Sequence, residues 1–238
     1  MISFIVPTRD HARTIVQAVE RINSYSWPLP HEVIVADEGS QDDTLEILEQ
    51  RGLLGSTVRV ESVPRGAGRG SAIRSASKTA RGDYLAWFSA DLTYTAEDLA
   101  GMIEYLVDDR ADAVVGSRYL GPGGSITRYW RARGHRFVTL LSNALTDMNL
   151  TDATSGCWVI RKATWDRMNL RSRGVELDME VIAALSRMKA RVWEVPVGHD
   201  ARWREYRAIG RAVFPRLMAV LGSRLRSDLL IPELVQSA

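Results

Sequence analysis

The chain has 238 residues, a formal net charge of +2, 45% hydrophobic residues and 25% charged residues, as is ordinary for a globular protein. This length suits one large α/β domain, or one domain with a short appendage. Cys157 is the only cysteine, which excludes an intramolecular disulfide and fits a reducing compartment. The first residues lack the features of a signal peptide, and no stretch reaches the roughly 18 uncharged apolar residues of a membrane-spanning helix. We therefore expect a cytoplasmic protein whose only membrane contact is peripheral, at the inner face.

Short apolar runs alternate with segments of helical periodicity through the first 115 residues. The runs predict five buried strands, at residues 2–6, 32–36, 57–63, 84–88 and 112–115. The segments between them predict helices at residues 14–22, 44–50, 71–79 and 96–106. Asp42 or Asp43 is expected to cap the second helix, and Thr95 the fourth. This alternation is typical of a mostly parallel sheet with helices on both faces.

Beyond residue 116 the alternation is less regular. After a glycine-rich loop, two helices are predicted at residues 137–148 and 178–188, and two strands at 157–160 and 191–197. From residue 209 the chain is basic and apolar by turns, which predicts one or two amphipathic helices. Three roles fit these helices: packing against the domain, pairing of subunits in a homodimer, and contact with an anionic membrane surface. The expected organisation is a domain of residues 1–210 and a helical tail of residues 211–238.

Polar clusters follow the predicted parallel strands. They lie at residues 8–11, 37–40, 65–69 and 89–93. Ligands of such sheets bind beyond the carboxyl ends of the strands, so the four clusters are expected to meet at one edge. The glycine-rich cluster does not predict a dinucleotide site, because its glycine spacing misses G-x-G-x-x-G and it follows the third strand. The chain also lacks the P-loop motif G-x-x-x-x-G-K-[ST].

Arginine is dense within residues 118–136 and again within residues 202–226. Such clusters suit phosphate or carboxylate ligands, because the guanidinium fork binds these groups bidentately. They suit a solvated surface equally well. Nucleic acid is not an expected partner, since the sequence has no zinc-ligand set, RNP motif or heptad array.

The ordered set of motifs resembles the inverting nucleotide-sugar glycosyltransferases of the GT-A fold. Within them it is similar to the large second family, which includes dolichol-phosphate mannose synthases and other polyprenyl-phosphate glycosyltransferases. The resemblance covers residues 2–210 and is carried by F-I-V-P-T, V-I-V-A-D-E-G-S-Q-D-D-T, R-G-A-G-R-G-S-A-I-R-S-A, G-D-Y-L-A-W-F-S-A-D-L, V-V-G-S-R-Y, T-D-A-T-S-G-C-W-V-I-R-K, D-M-E and W-E-V-P-V. It implies an α/β, Rossmann-like, mostly parallel sheet flanked by helices. It also implies sugar transfer from a nucleotide-diphosphate sugar, with polyprenyl phosphate as the favoured acceptor.

The resemblance places nucleotide-sugar contacts at the carboxyl ends of the strands. The residues expected to make them are Pro7, Thr8, Asp37, Glu38, Arg65, Gly66, Ser89, Ala90 and Arg118. Among them, Asp37 is expected to hydrogen-bond the base, and Arg118 to lie near the sugar or the acceptor phosphate. Arg9, Asp10 and His11 stand where the family commonly has an aromatic residue, Asn and Glu. The base and ribose contacts are therefore expected to differ from those of the family.

Asp91 matches the second carboxylate of the D-x-D motif, which in the family binds a Mg²⁺ or Mn²⁺ ion at the donor diphosphate. The cation neutralises charge that develops on the leaving nucleoside diphosphate. Ser89 stands at the first position of that motif, which predicts a weaker and more hydrated metal site rather than none. His199 follows the last predicted strand and is a further candidate ligand, although a lone histidine is more often structural.

The acceptor determines whether the reaction requires a base. A hydroxyl acceptor requires one, and Glu180 and Asp178 are the candidates, whereas a phosphate acceptor is already anionic. A helix N-terminal carboxylate is an equally expected role for Asp178. Contacts with an acceptor phosphate are expected from Arg133, Arg136 and Arg202.

Two alternatives stay open. The first keeps the chemistry but has a soluble small-molecule acceptor, such as a secondary metabolite or a nucleoside. The second is a non-catalytic nucleotide-binding module, which the missing first aspartate suggests. A nucleotidyltransferase shares the sheet architecture, but the first loop does not supply the glycine- and lysine-bearing signature that such enzymes use.

Overall fold

The computed structural model describes residues 1–120 and 133–198, and residue 222 by itself. The described residues form seven strands: β1 (Ile2–Thr8), β2 (His31–Asp37), β3 (Val58–Ser62), β4 (Tyr84–Trp87), β5 (Ala113–Ser117), β6 (Trp158–Arg161) and β7 (Val192–Pro196). They also form seven helices: α1 (Ile15–Ser24), α2 (Thr44–Gln50), α3 (Arg69–Thr79), α4 (Ala96–Val107), α5 (Arg133–Thr146), α6 (Lys162–Asp166) and α7 (Leu177–Arg187). In the described part of the chain, no helix has the length and apolar character that a bilayer crossing requires.

The elements expected from the sequence are present, with small differences at their ends. The five strands and four helices of the first 115 residues end within two residues of their predicted bounds. Helix α5 begins four residues earlier than predicted, and the short helix α6 was not predicted. The helical tail and the domain boundary at residue 210 lie outside the described residues.

The strands form one sheet in the order β3-β2-β1-β4-β6-β5-β7. Neighbouring strands are parallel except at β6, which runs antiparallel to both β4 and β5. The predicted mostly parallel sheet is therefore confirmed, and its single reversed strand is an addition. Because β2 and β4 lie on opposite sides of β1, a crevice opens between the carboxyl ends of β1 and β4, at a topological switch point.

Alternate side chains of β1 enter two separate cores, one on each face of the sheet. Phe4 packs in a cluster with side chains of α1 and α4, whereas Ile5 packs with side chains of α3 and α7. Successive side chains of a strand point to opposite faces. Burial on both faces explains why the central strands have near-continuous apolar sequences, as strands of parallel sheets do.

Side-chain caps begin two of the helices, close to where the sequence predicts them. Thr95 caps α4 through a capping box, in which its hydroxyl accepts the Asp98 N–H and the Asp98 carboxylate accepts the Thr95 N–H. At α2, Asp43 holds the N-cap position but its side chain makes no cap hydrogen bond, and Asp42 Oδ1 accepts the Thr44 N–H instead. These bonds satisfy backbone donors that a helix start leaves unpaired.

Two glycines of the loop before α3 allow a close backbone approach. A Cβ atom at Gly68 would lie 2.4 Å from the Arg173 carbonyl oxygen, and one at Gly70 would lie 2.8 Å from that of Ser172. The Ser71 N–H donates to the Arg173 oxygen at 3.0 Å. The first turn of α3 therefore packs directly on the segment that precedes α7, which brings the start of α3 to the carboxyl edge of the sheet.

Gly68→Ala should destabilise the fold more than Gly66→Ala. Both glycines have a positive φ, 90° and 79°, so both substitutions carry backbone strain of about 1–3 kcal/mol. A Cβ at Gly66 meets no atom within 4 Å, whereas one at Gly68 meets the Arg173 carbonyl and adds about 1–3 kcal/mol of overpacking. Urea unfolding of the two variants measures the difference. Equal free energies of unfolding would contradict the close approach.

Candidate active site

A cleft of about 280 Å³ opens at the switch point, beyond the carboxyl ends of β1 and β4. All four polar clusters that were expected to meet contribute to it. The predicted site residues that line it are Pro7, Glu38, Ser89, Ala90, Asp91 and Asp178. The other lining residues are Arg9, His11, Arg69, Thr93, Tyr94, Thr154, Ser155, Gly156 and Val175. The predicted site residues in the described part of the chain that lie outside this lining include Thr8, Asp37, Arg65, Gly66, Arg118 and Glu180.

Asp91 is held in a turn by its neighbours and keeps one carboxylate oxygen for a ligand. Its Oδ1 accepts the Ser89 hydroxyl at 2.5 Å, the Thr93 N–H at 3.0 Å and the Thr93 hydroxyl. All the hydrogen bonds that the described residues make to Asp91 end on Oδ1, so Oδ2 is left for a ligand. Ser89, at the first position of the expected D-x-D, therefore orients the carboxylate at the second position.

The site fits a divalent cation that a bound ligand completes, rather than a cage made by the protein alone. Over residues 1–120 and 133–198, no group of three or more His, Cys, Asp or Glu side chains is placed to hold a metal ion. Mg²⁺ in proteins usually binds through one or two carboxylates together with waters and substrate phosphates. Oδ2 of Asp91 can supply one such ligand. His199, the other candidate, lies outside the described residues.

Glu38 gives the cleft a second carboxyl group, next to the loop after β1. It is buried, and its Oε2 lies 3.7 Å from Nη1 of Arg9. Burial raises the pKa of Glu38 above its ordinary value, while the positive charges of Arg9 and Arg69 oppose that rise. The oxygens of this carboxyl group can accept hydrogen bonds from sugar hydroxyls.

Asp37 and Arg65 make hydrogen bonds to residues of the loops around the cleft. Asp37 accepts the Gly39 N–H at 3.0 Å and both the N–H and the hydroxyl of Ser40. Arg65 donates to the Gly39 carbonyl at 2.8 Å and to Asp10 Oδ2 at 3.4 Å. The structure thus gives both residues a part in shaping the loop after β2, and their expected contacts with the nucleotide stay predictions.

The residues of the first loop that depart from the family pattern have two different positions. Arg9 and His11 line the cleft, and the His11 ring nitrogen Nδ1 lies 3.3 Å from the buried Thr8 hydroxyl. Asp10 faces the neighbouring loop instead, where its Oδ1 accepts the Gln41 N–H at 2.7 Å. The departure therefore changes both a wall of the cleft and the bond that joins the loops after β1 and β2.

Arg118 is an internal cation rather than a lining residue. Its Nε and Nη2 donate to the two carboxylate oxygens of buried Asp152 at 2.6 and 2.7 Å, and Nη2 also donates to the Thr154 hydroxyl at 2.9 Å. Burial by itself would raise the pKa of Asp152, but the hydrogen bonds and charge of Arg118 hold it below its ordinary value. The expected contact of Arg118 with the sugar or acceptor phosphate stays a prediction. Arg118 fixes the segment that carries Thr154 into the wall of the cleft.

The two candidate bases near the start of α7 differ in position. Glu180 is buried, and its Oε2 accepts the N–H groups of Arg171 at 2.9 Å and Ser172 at 2.7 Å. It therefore holds the loop before α7 and is not among the residues that line the cleft, and its expected role as a base stays a prediction. Asp178 lines the cleft, with Oδ1 at 3.6 Å from Nη1 of Arg69. Of the two carboxylates, Asp178 is the one that lines the cleft.

Arg69 is a cleft residue to which the family resemblance did not point. Its guanidinium carbon lies 5.6 Å from the centre of the Trp87 ring, and its Nη2 donates to the Gly156 carbonyl at 3.0 Å. A signal was available in the sequence, because a basic residue stands between Gly68 and Gly70. Those glycines allow a close backbone approach, which brings Arg69 to the carboxyl edge of the sheet, where the cleft lies.

The arginines expected at the acceptor phosphate are described only in part. Arg133 is the first residue of α5. Arg136 is exposed on the same helix, with its guanidinium carbon 5.8 Å from the centre of the Tyr119 ring. Arg202 lies outside the described residues. The contribution of these three arginines to a phosphate site stays a prediction.

Comparison with known families gives a match that includes the loops after β1, β2 and β4. The family described as Glycosyl transferase family 2 matches residues 3–167, more than half of the chain. The chain belongs to glycosyl transferase family 2. The resemblance inferred from the ordered motifs is thereby confirmed.

Curated relatives of this family 2 chain are named as a hexosyltransferase and a mannosyltransferase. The low-salt glycan biosynthesis hexosyltransferase Agl6 of Haloferax volcanii is 30% identical over 205 residues, which cover 84% of this chain and 48% of the relative. The dolichol-phosphate mannosyltransferase of Pyrococcus furiosus is 27% identical over 223 residues, which cover 91% of this chain and 61% of the relative. The chain thus spans about half to three fifths of the length of these two relatives.

Solved structures share the fold of the family 2 chain at low identity. Glucosyl-3-phosphoglycerate synthase from Mycobacterium tuberculosis, crystallised with Mn²⁺, UDP and glucosyl-3-phosphoglycerate, has a TM-score of 0.73 at 20% identity, over 94% of this chain and 79% of that one. Mannosyl-3-phosphoglycerate synthase from Rubrobacter xylanophilus has a TM-score of 0.71 at 18% identity, over 100% of this chain and 78% of that one. This likeness confirms the predicted GT-A fold.

Asp152→Ala should lower the free energy of unfolding by about 3–5 kcal/mol, because it leaves the Arg118 guanidinium buried without its counter-ion. Asp166→Ala is the matched control, since it breaks an exposed ion pair with Lys162 that is worth at most about 1 kcal/mol. Chemical denaturation of both variants measures the two losses. A loss for Asp152→Ala as small as that of the control would contradict the structural role of the buried pair.

Proposed function

We propose that this chain is an inverting glycosyltransferase that transfers a hexose from a nucleotide-diphosphate sugar to an acceptor. The observation that carries the proposal is Asp91, which keeps Oδ2 for a ligand in a cleft at the switch point of the sheet. Membership of glycosyl transferase family 2 supports the reaction class. A fold shared with an enzyme crystallised with Mn²⁺ and UDP supports the type of donor.

Three regions of the cleft suit the three parts of such a donor: the nucleoside, the diphosphate and the sugar. The nucleoside fits the side of the loop after β1, where Arg9, His11 and Glu38 supply donors and acceptors. The diphosphate fits beside Asp91, and the sugar fits the wall formed by residues 154–156, which carries two hydroxyl groups. Since ligand pockets commonly measure about 300–1,000 Å³, a cleft of about 280 Å³ is a tight site, and part of the donor would extend past its rim.

The chain's own residues fit a Mg²⁺ or Mn²⁺ ion at the diphosphate. Such an ion supplies Lewis-acid stabilisation of the negative charge on the leaving group. Ser89 and Thr93 donate to Oδ1 of Asp91 and leave Oδ2 as the oxygen for the cation. The remaining ligands would be donor phosphate oxygens and water, as is usual for Mg²⁺.

In the transfer, an acceptor oxygen attacks the anomeric carbon from the face opposite the diphosphate. The bond from the anomeric carbon to the phosphate oxygen breaks, its electron pair stays on the nucleoside diphosphate, and the configuration is inverted. A phosphate acceptor is already anionic and needs no base. A hydroxyl acceptor would pass its proton to Asp178, since this carboxylate lines the cleft whereas Glu180 is bonded to a loop.

A polyprenyl phosphate at a membrane surface is the acceptor that we favour. The likeness to a dolichol-phosphate mannosyltransferase supports it. Helix α5 supports it as well, because exposed Arg136 lies on the same helix as two exposed apolar side chains, Phe137 and Leu140. Basic and apolar residues on one helix suit peripheral contact with an anionic lipid surface.

A soluble anionic acceptor is the second candidate. It is favoured by the fold shared with two phosphoglycerate glycosyltransferases, one of them also crystallised with phosphoglyceric acid. The donor chemistry would be unchanged, and only the source of the attacking oxygen would differ. An assay with both acceptor types therefore separates the two candidates.

The function is tested by the release of nucleoside diphosphate from UDP-, GDP- and dTDP-sugars with Mn²⁺ or Mg²⁺. Each donor is offered with a polyprenyl phosphate in detergent and, separately, with phosphoglyceric acid. We expect turnover with at least one donor, and faster turnover with the lipid phosphate. Turnover with the soluble acceptor alone would reassign the acceptor. Neither binding nor turnover with any donor would contradict the proposal.

Asp91→Asn is the variant that tests the carboxylate in the same assay. Asparagine keeps Oδ1 as the acceptor for Ser89 and Thr93 and replaces only the charged Oδ2, so the turn should be preserved. We expect turnover to fall at least about 100-fold. Asp108→Asn changes an exposed carboxylate at the end of α4 and should leave turnover unchanged. Full activity of Asp91→Asn would contradict the role of the Asp91 carboxylate as a metal ligand.

Ser89→Asp should lower the Mn²⁺ concentration for half-maximal turnover, on the order of tenfold, because it adds a charged ligand beside Asp91. Without metal, the two carboxylates would repel one another at a site where the serine now donates a hydrogen bond at 2.5 Å. The melting temperature of Ser89→Asp should therefore rise more on Mn²⁺ addition than that of the wild type. Ser89→Ala, which adds no charge, is the control. Unchanged metal dependence of Ser89→Asp would place residue 89 outside the metal site.

A further inference from the structure

Arg69 is a cation fixed within the cleft. It is the first residue of α3, and its side chain is 26% exposed. The guanidinium is held by the Gly156 carbonyl at 3.0 Å, by Asp178 Oδ1 at 3.6 Å and by the Trp87 ring, whose centre is 5.6 Å away. Gly156 has a φ of 70°, and a Cβ there would lie 3.3 Å from Nη2 of Arg69. The glycine therefore makes room for the guanidinium group.

These contacts fix the guanidinium without using all of its donors. Within the described part of the chain, Arg69 donates one hydrogen bond, to Gly156. The distance of 3.6 Å to Asp178 exceeds the range of about 2.7–3.2 Å for a hydrogen bond, so that pair is electrostatic. The planar fork of a guanidinium matches two oxygens of a phosphate, and Arg69 retains N–H groups for such a contact.

The charges of the cleft make such a cation necessary for a diphosphate ligand. The charged side chains of the lining are three carboxylates, Glu38, Asp91 and Asp178, and two guanidiniums, Arg9 and Arg69. Arg9 has a side chain that is 51% exposed, at 3.7 Å from Glu38. Arg69 is the more buried and better fixed of the two. Without it, exposed Arg9 would be the one guanidinium among the described lining residues to offset the three carboxylates as a diphosphate approaches.

We propose that Arg69 binds the diphosphate of the donor directly, as a protein-borne cation that acts beside the metal ion. The inference rests on the proposed function and names a further residue for it. A bidentate contact would fix the phosphate in the cleft and stabilise the charge left on it when the sugar departs. Nucleoside diphosphate should then retain affinity for the protein even when no metal ion is present.

Calorimetric titration of the full 238-residue chain in EDTA tests this. The probes are UDP against uridine, and GDP against guanosine. We expect the wild type to bind one of the diphosphates at least about tenfold more tightly than its nucleoside, and Arg69→Gln to lose that preference. Arg81→Gln is the matched control, because Arg81 is exposed in the turn after the same helix, and it should keep the preference.

Two further variants separate two possible roles of Arg69: binding of phosphate, and neutralisation of the Asp178 carboxylate. Asp178→Asn removes the anion that faces Arg69, so diphosphate affinity in EDTA should be kept or increased. Arg69→Gln combined with Asp178→Asn removes both charges of this pair together, which protects the fold. We expect the double variant to bind the diphosphate at least about tenfold more weakly than Asp178→Asn. Equal affinities of these two variants would show that Arg69 serves only as the counter-ion of Asp178, and would overturn the inference.

The outcomes distinguish this inference from the proposed function. Titrations with Mn²⁺ should show tighter binding in the wild type and in Arg69→Gln, with the variant about tenfold weaker. Equal affinities of the two proteins, with binding that depends on Mn²⁺ in both, would overturn the role of Arg69 and leave the glycosyltransferase function standing. If the wild type bound none of UDP, GDP and dTDP with Mn²⁺, both proposals would fail.

Discussion

The parallel pairing of β1 with β4 is the constraint on which the site depends. It sets Ile5 opposite Trp87, so the loops after two strands that are far apart in sequence open onto one crevice. Strand β2 pairs with the other side of β1, also in parallel, and brings its own loop to the same edge. No one of these loops forms a site by itself. The sheet order assembles the cleft, and each loop supplies a different kind of polar group to it.

Carboxylates around the cleft have two different roles, and the hydrogen bonds that each accepts distinguish them. Asp37, Asp152 and Glu180 are buried, and each accepts at least two hydrogen bonds from nearby donors. A desolvated carboxylate without such partners would be costly, so these groups fix loops in place. Asp91 is only half-buried and keeps one oxygen outside its local bonds. Asp91 is therefore the carboxylate best suited to bind a cation, through Oδ2.

The sequence determines the elements more fully than the partners of individual side chains. Buried strands and amphipathic helices impose patterns on the sequence, and these predicted the first five strands within two residues. The direction of β6 was not predictable, because its four residues, W-V-I-R, carry no pattern that distinguishes parallel from antiparallel neighbours. The roles of Arg118 and Glu180 depend in the same way on contacts across the fold. A motif predicts which loops meet, whereas the direction of each charged group follows from its partners.

Ser89 and Arg69 together suggest how the charge of a diphosphate is balanced in this cleft. A second carboxylate at position 89 would raise the affinity for a metal ion before any donor binds. Serine keeps the turn through its bond to Asp91 but gives up that charge. A fixed guanidinium attracts the same phosphate oxygens as the metal ion, so the protein need not hold the ion in advance. On this view the donor brings most of the ligands for the metal, and linkage then requires each to tighten the binding of the other by the same factor. Metal affinity would thus be a property of the donor complex rather than of the protein alone.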